Sequence, residues 1–287
     1  MIRGQKNMVT VIRKTNGEMV IDKQPLSTLY TGWMRSAPLI RGIVVLVESL
    51  VFGLKTLMFS ANVALEEEAG KTNEKVGGWW MWVALAFSLV FAVALFFLSP
   101  LFLTRLLQIP SSTILFNVVE GVIRLAIFLL YLWLVSLMPD IRRVFAYHGA
   151  EHKAVNGFEA GVPLEPTTIR KYSKAHIRCG GSFLFSVMII AILIFSIFSV
   201  FKPDLWLLIL SRIIFVPVIA ALGYEFIHFG ANHANNRIIR LILVPGLWIQ
   251  ALTTREPDNE QLAVGIMAMK TALEADQEIT PIDEQTL

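Results

Sequence analysis

"ILFNVVEGVIRLAIFLLYLWLVSLMPD" (114–140) decides how this chain is built. Residues 114–137 are apolar almost throughout and, as a helix, would reach about 36 Å, enough to cross the ~30 Å hydrocarbon core of a bilayer. Two charges interrupt the run, Glu120 and Arg124, and their i, i+4 spacing lets them pair on one helix face. Charges inside a span are costly and mark a protein interior rather than a lipid-facing surface. The run stops at Pro139-Asp140, where Asp140 is placed to cap a new helix.

Three further stretches read as spans. "WWMWVALAFSLVFAVALFFL" (79–98) opens on a tryptophan cluster suited to a membrane interface. "SFLFSVMIIAILIFSIFSVF" (182–201) is closed by Lys202-Pro203-Asp204, and "LWLLILSRIIFVPVIAALGYEFI" (205–227) is interrupted by Arg212 and Pro217. The piece "IIRLILVPGLWIQAL" (238–252) is too short and broken to cross and reads as interfacial or re-entrant. Composition agrees: the 287 residues are 55% hydrophobic and 16% charged, with a mean hydropathy of +0.62, where soluble domains carry roughly a quarter charged residues. The expected fold is therefore an all-α polytopic membrane protein with about four transmembrane helices.

The remaining segments flank this membrane domain, 79–252. Residues 1–35 read as a small soluble cap, because "MVTVIRKTNGEMVID" (8–22) alternates around Asn16-Gly17, a hairpin dipeptide. No apolar core of signal-peptide type is present there, so no cleaved leader is expected. In 36–65, Arg41, Glu48, Lys55 and Asn62 recur every seven residues and share one helical stripe. That segment is either an amphipathic interfacial helix or a membrane helix whose stripe faces a polar cavity. "EEEAGKTNEK" (66–75) reads as a solvated loop, and 253–287 as a polar, helix-prone soluble tail.

Basic residues orient the chain. Arg142, Arg143, Lys153, Arg170, Lys171, Lys174 and Arg178 crowd segment 139–181, whereas the connections near 105 and 202 carry one each. Positive charge is retained inside, so this segment and both termini are expected on the cytoplasmic face of the cell membrane. A net charge of +3 gives no reason to invoke nucleic acid; lipid is the expected surrounding, with a homo-oligomer allowed.

The chemistry concentrates in 139–181. If "IRRVFAYHGAEHKAVNGFEA" (141–160) is helical, His148 and His152 fall in the stripe of Ile141, Val144, Phe145 and Val155, while Arg142, Arg143, Lys153 and Asn156 fall outside it. Imidazoles at i, i+4 can converge on one cation, and Glu159 returns to the same face as a possible additional ligand. His-x-x-Glu-His is also the inverted zincin pattern, in which the glutamate serves as general base, here Glu151. Downstream, "KAHIRCGGSF" (174–183) adds His176 and Cys179, an imidazole and a thiolate suited to zinc, with Gly180 and Gly181 allowing close backbone approach. His148, His152, His176 and Cys179 could close a tetrahedron, or three could bind with one position left for water. Cys179 is the only cysteine, so no intramolecular disulfide exists. In "YEFIHFGANH" (224–233), Glu225, His228 and His233 read as an interfacial polar cluster.

"YHGAEHKAVNGFEAG" (147–161), "HIRCGGSF" (176–183), "LIRGIVVLVESLVFGLKTLMFSAN" (39–62) and "PGLWIQALTTREPDNEQLAVG" (245–265) together resemble the YqhQ-like bacterial integral membrane proteins. "MIRGQKNMVTVIRK" (1–14) is similar to that family's opening strand, so the resemblance spans nearly the whole chain. The family is described as a domain of unknown function or as predicted metal-dependent enzymes. The resemblance implies that His148, Glu151, His152, His176 and Cys179 form its metal cluster, with isoleucine at 177 where its pattern has proline. The expected function is a membrane-embedded, zinc-dependent hydrolase with one zinc per chain and no substrate specified by the sequence. The alternative is a non-enzymatic protein, handling lipid or assisting membrane-protein assembly, whose Cys/His site is structural. A transporter using Arg41, Glu48, Lys55, Glu120 and Arg124 lacks the internal repeats that such folds show.

Overall fold

A computed structural model describes residues 1–69, 79–109, 114–177, 179–201, 204–233 and 236–277. Outside them fall most of the expected loop after Glu68, Lys202-Pro203, Arg178 and the end of the tail. The chain opens with a three-stranded antiparallel sheet, β1 (Ile2–Arg3), β2 (Asn7–Arg13) and β3 (Met19–Pro25), in that order. The β2–β3 turn is the expected hairpin: Gly17 sits at φ +87°, a backbone region that favours glycine. Two short turns follow, α1 (Thr28–Thr31) and α2 (Trp33–Ser36), and then α3, a 30-residue helix from Ile40 to Ala69.

The apolar helices come next. α4 (Trp79–Val93) runs through a π-helical stretch, Ala94–Leu98, into α5 (Ser99–Leu106), so this element continues past the 98 expected from sequence. Pro100 would normally break a helix, since it lacks the N–H that bonds the carbonyl four residues back. Here that carbonyl, of Phe96, accepts from Arg124 Nε at 3.0 Å, and the wider turn absorbs the ring. α6 (Ile114–Val135) leads into α7 (Pro139–Glu159), then α8 (Pro166–Ile169), α9 (Gly180–Ser199), α10 (Leu205–Ile214), α11 (Val216–Asn232), α12 (Arg237–Thr253) and α13 (Asn259–Gln277).

Among the described residues, four helices are long and apolar enough to cross a membrane: Ile40–Glu67, Trp82–Leu106, Ile114–Val135 and Gly181–Phe198. The expected span 205–227 is a pair, α10 and α11, bent by 44° and extended to Asn232. Pro217 stands at the start of α11, where its missing N–H costs nothing.

Three charged groups within the apolar helices pair with one another. Glu120 accepts from Arg124 and, at 2.5 Å, from Arg212 Nη2, which ties α6 to α10. All three side chains are buried, and the Arg212 guanidinium lies 3.7 Å from the Phe195 ring centroid. Sequence spacing identified the Glu120–Arg124 pair but could not join Arg212 to it from 88 residues further on.

A second body is built from β1–β3, α7 and α13. Ile2, Val9 and Val11 of the sheet share one core with Ala154 of α7 and Val264, Ala268 and Met269 of α13. The first strands and the end of α13 meet here too: Asp276 accepts from the Gln5 and Lys6 amides, and Asn7 donates to the Ala275 carbonyl. α7 starts differently from the sequence expectation, because its cap is Met138, Pro139 holds the first turn and Asp140 lies inside the helix. An acidic side chain in a first turn suits the helix dipole, and proline at that point is preorganised. The buried face of α7 also differs: Val144 is exposed, while Ala146, Gly149, Ala150, Lys153, Ala154 and Gly157 are buried. Small residues win that face because α13 packs closely there; a Cβ on Gly265 would meet the Ala150 carbonyl at 3.0 Å.

Candidate metal centre

The centre of α7 carries His148 and His152 one turn apart, their ring centroids 4.4 Å apart. Each ring is oriented by a backbone carbonyl. His148 Nδ1 lies 2.9 Å from the Thr253 oxygen at the end of α12, and His152 Nδ1 lies 2.7 Å from the Lys174 oxygen. A carbonyl only accepts, so in each neutral ring the proton sits on Nδ1 and the lone pair on Nε2. This is how ligand histidines are commonly oriented.

Cys179 enters from the other side as the cap of α9, with its Sγ accepting from the Gly181 amide at 3.3 Å. Sγ is 3.4 Å from His148 Nε2, and the cysteine is buried. Burial pushes the Cys179 thiol up, but hydrogen bonds and charge from His148 and His152 together outweigh it and bring it down to about 6. Burial pushes His148 down, while its bond to Cys179, the thiolate charge, the Thr253 carbonyl and Glu151 carry it up to about 9. The pair is a thiolate beside an imidazolium at neutral pH, and shared ligation of a cation would release the histidine proton.

Among the described residues, His148, His152 and Cys179 form the group able to hold a metal ion, with one ligand atom from each lying within 4.8 Å of the others. Two imidazole nitrogens and a thiolate, mutually converging, with His152 and Cys179 buried and His148 half-buried, fit a zinc-class ion. His176 stands aside: its ring centroid is 5.9 Å from that of His152, and its Nε2 is 3.2 Å from Glu159 Oε2. Glu151 is outside the group as well, on the exposed side of α7, with Oε2 3.5 Å from the Met1 amino nitrogen. Glu225 binds Arg41 across 2.8 Å and the Leu39 amide across 2.9 Å, whereas His233 Nδ1 bonds the Phe229 carbonyl.

Residues that the sequence did not single out hold the segment carrying Cys179. Gln250, fully buried, accepts from the His176 amide at 2.9 Å and donates to the His176 carbonyl at 2.7 Å and to Ser182 Oγ at 2.8 Å. Those contacts bracket Cys179 on both sides. Lys153, expected on the outer face, is buried and donates to the Arg170 and Tyr172 carbonyls at 2.7 and 2.8 Å while pairing with Glu256. Two carbonyls and a carboxylate compensate its burial, which a helical wheel cannot foresee. Asn156 adds bonds to the Ser173 and Ala175 carbonyls.

At Gly181 the expected close backbone approach is not found; it occurs at Gly149. A Cβ on Gly181 would meet neighbours only at 3.6 Å, whereas one on Gly149 would lie 2.1 Å from the Arg255 carbonyl oxygen. That segment is fixed by the bond from the Arg255 amide to the Phe145 carbonyl at 2.9 Å. Gly149→Ala should therefore force α7 away from the end of α12 and displace the Thr253 carbonyl from His148. The expected cost is about 1–3 kcal/mol, at the upper end because backbone cannot rotate aside. A lowered melting temperature together with reduced metal content would bear this out; a melting temperature equal to wild type would not.

A family profile described as "Protein of unknown function (DUF1385)" matches residues 37–275. The uncharacterized protein YqhQ of Bacillus subtilis (strain 168) is 31% identical over 284 residues, which cover 95% of this chain and 89% of that protein. No solved structure matches. With the profile spanning both the apolar helices and the His/His/Cys cluster, and YqhQ matching 95% of the chain, the chain belongs to the YqhQ-like DUF1385 family.

Proposed function

We propose that this protein is a metal-dependent hydrolase of the cell membrane, with one zinc-class ion per chain held by His148, His152 and Cys179 at the cytoplasmic face. The observation that carries the reading is convergence: two histidines with Nδ1 committed to carbonyls and a thiolate, all offering ligand atoms within 4.8 Å. Three protein ligands with a remaining position is the arrangement of catalytic zinc, whereas structural zinc is enclosed by four. When bound, such an ion supplies a Lewis acid that acidifies water. Glu151, three residues after His148 and exposed, is the group of this chain suited to accept the proton at a carboxylate oxygen. The basic residues of 139–181 support the cytoplasmic assignment.

A second reading, a structural metal that fastens α7 to the start of α9, is supported by the position of His176, whose ring is one contact away from His152. Glu151→Gln separates the two. Glutamine keeps the size and one acceptor oxygen but takes no proton. The expected result is metal content equal to wild type, with loss of complementation in a deletion strain. Full complementation by a metal-loaded Glu151→Gln protein would remove the hydrolase reading and leave the structural one.

A further inference from the structure

By length and composition α3 passes for a membrane span, yet its contacts run along it rather than at one end. Arg3 of β1 donates to Glu48 at 2.5 Å, Thr10 of β2 meets Thr56 at 3.2 Å, and the Thr15 amide at the hairpin turn donates to Glu67 at 2.8 Å. From Thr10 to Thr15 an extended chain advances about 17 Å, and from Thr56 to Glu67 a helix advances about 17 Å. The hairpin therefore lies lengthwise on the second half of α3. A sheet with open edges leaves backbone donors and acceptors unpaired and has no place in hydrocarbon, so a helix clad by it cannot cross with it.

Chain parity gives the same answer. The sheet, α7 and α13 share one core and so stand on one side of the membrane. Three apolar elements separate the sheet from α7: α3, α4–α5 and α6. Three crossings would put α7 opposite the sheet, so an even number must cross. α3 is the least apolar of the four span-length helices.

We infer that α3 lies in the plane of the membrane interface, on the face that carries the candidate metal centre, and that its occupant is the bilayer itself. At 100° per residue, Ile43, Val47, Leu50, Leu54, Leu57, Ala61 and Leu65 fall within an arc of about 80°. Leu50 and Leu57 are 65% and 69% exposed there. The buried Val44, Glu48, Phe52 and Val63 lie on the opposite side, and between Ile43 and Leu65 no charged residue falls in the apolar arc. Within the polar stripe, Glu48 grips the cap, held by Arg3 and Arg35. An apolar face of this kind sinks about 5–10 Å into the headgroup boundary. The start of α3 is continuous with the membrane domain, where Arg41 binds Glu225 and a Cβ on Gly42 would touch the Ala221 backbone at 2.8 Å. The crossings are then α4–α5, α6, α9 and the α10–α11 pair, an even count that returns α13 to the sheet.

The inference is independent of any metal at the site. Its test uses Glu66→Cys, at the far end of α3, and Lys171→Cys, in the site segment, both exposed in the fold. The unaltered chain, whose Cys179 is buried, is the background control. A membrane-impermeant maleimide should label both positions from the same side, comparing intact cells with inverted vesicles. Labelling from opposite sides would mean that α3 spans. A bimane fluorophore on Leu57→Cys, in nanodiscs, separates lipid from a second copy of the chain. Brominated lipid should quench it; no quenching, with Leu57→Cys cross-linking between chains, would overturn the bilayer as the occupant.

Discussion

Cys179→Ala should bind almost no metal where the unaltered protein is expected to carry one ion, and His152→Ala should behave in the same way. The expectation follows from how few ligands the centre has: His148, His152 and Cys179 offer one atom each, and losing one leaves two. Cys179 also carries the negative charge of the set, since His148 and His152 bring its thiol down to about 6 against its burial. Alanine therefore removes the ligand and the charge that compensates a divalent ion. His176→Ala is the informative companion. With its ring 5.9 Å from that of His152 and its Nε2 beside Glu159, it should reduce metal content far less if the ion is held by three residues. Inductively coupled plasma analysis of the four proteins, purified in parallel, measures this. Cys179→Ala and His152→Ala proteins that both retain the metal would remove the site.

The second large effect lies within the membrane domain. Glu120→Gln should lower stability by about 3–5 kcal/mol, because it leaves the Arg124 and Arg212 guanidiniums buried without their shared carboxylate. In a thermal scan this corresponds to a fall on the order of 10 °C. Arginine does not escape the problem by losing its proton under ordinary conditions. The Phe195 ring 3.7 Å from Arg212 softens the loss but supplies no negative charge. The double variant Glu120→Gln with Arg212→Met should recover part of the stability, since one uncompensated cation is gone. A Glu120→Gln protein that melts with the unaltered one would show that this ion triad does not hold α6 to α10.

Much of this protein is written in local sequence. Long, largely apolar runs at 79–98, 114–137 and 182–201 specify helices, because lipid offers no partner for unpaired backbone groups and helices satisfy their own. Asn16-Gly17 specifies the hairpin, since the turn needs a positive φ and glycine supplies it. The i, i+4 spacing of His148 and His152 puts both rings on one side of α7, a consequence of helical pitch alone. These features depend on neighbours in the chain, and neighbours are visible in a sequence.

What remained open depends on partners far away in the chain. Lys153 is buried by the carbonyls of Arg170 and Tyr172, and Arg212 by Glu120 on another helix, which no periodicity encodes. Cys179 and His176 are equally good ligands by type and spacing; the backbone held by Gln250 sets Cys179 beside His148 and leaves His176 with Glu159. The heptad of Arg41, Glu48, Lys55 and Asn62 allows a helix to lie on a membrane or to line a cavity within it, since both bury one polar stripe. The tertiary structure supplies what the heptad cannot, the partners of its charges: a desolvated carboxylate needs cations, and Glu48 finds Arg3 and Arg35, while Arg41 finds Glu225.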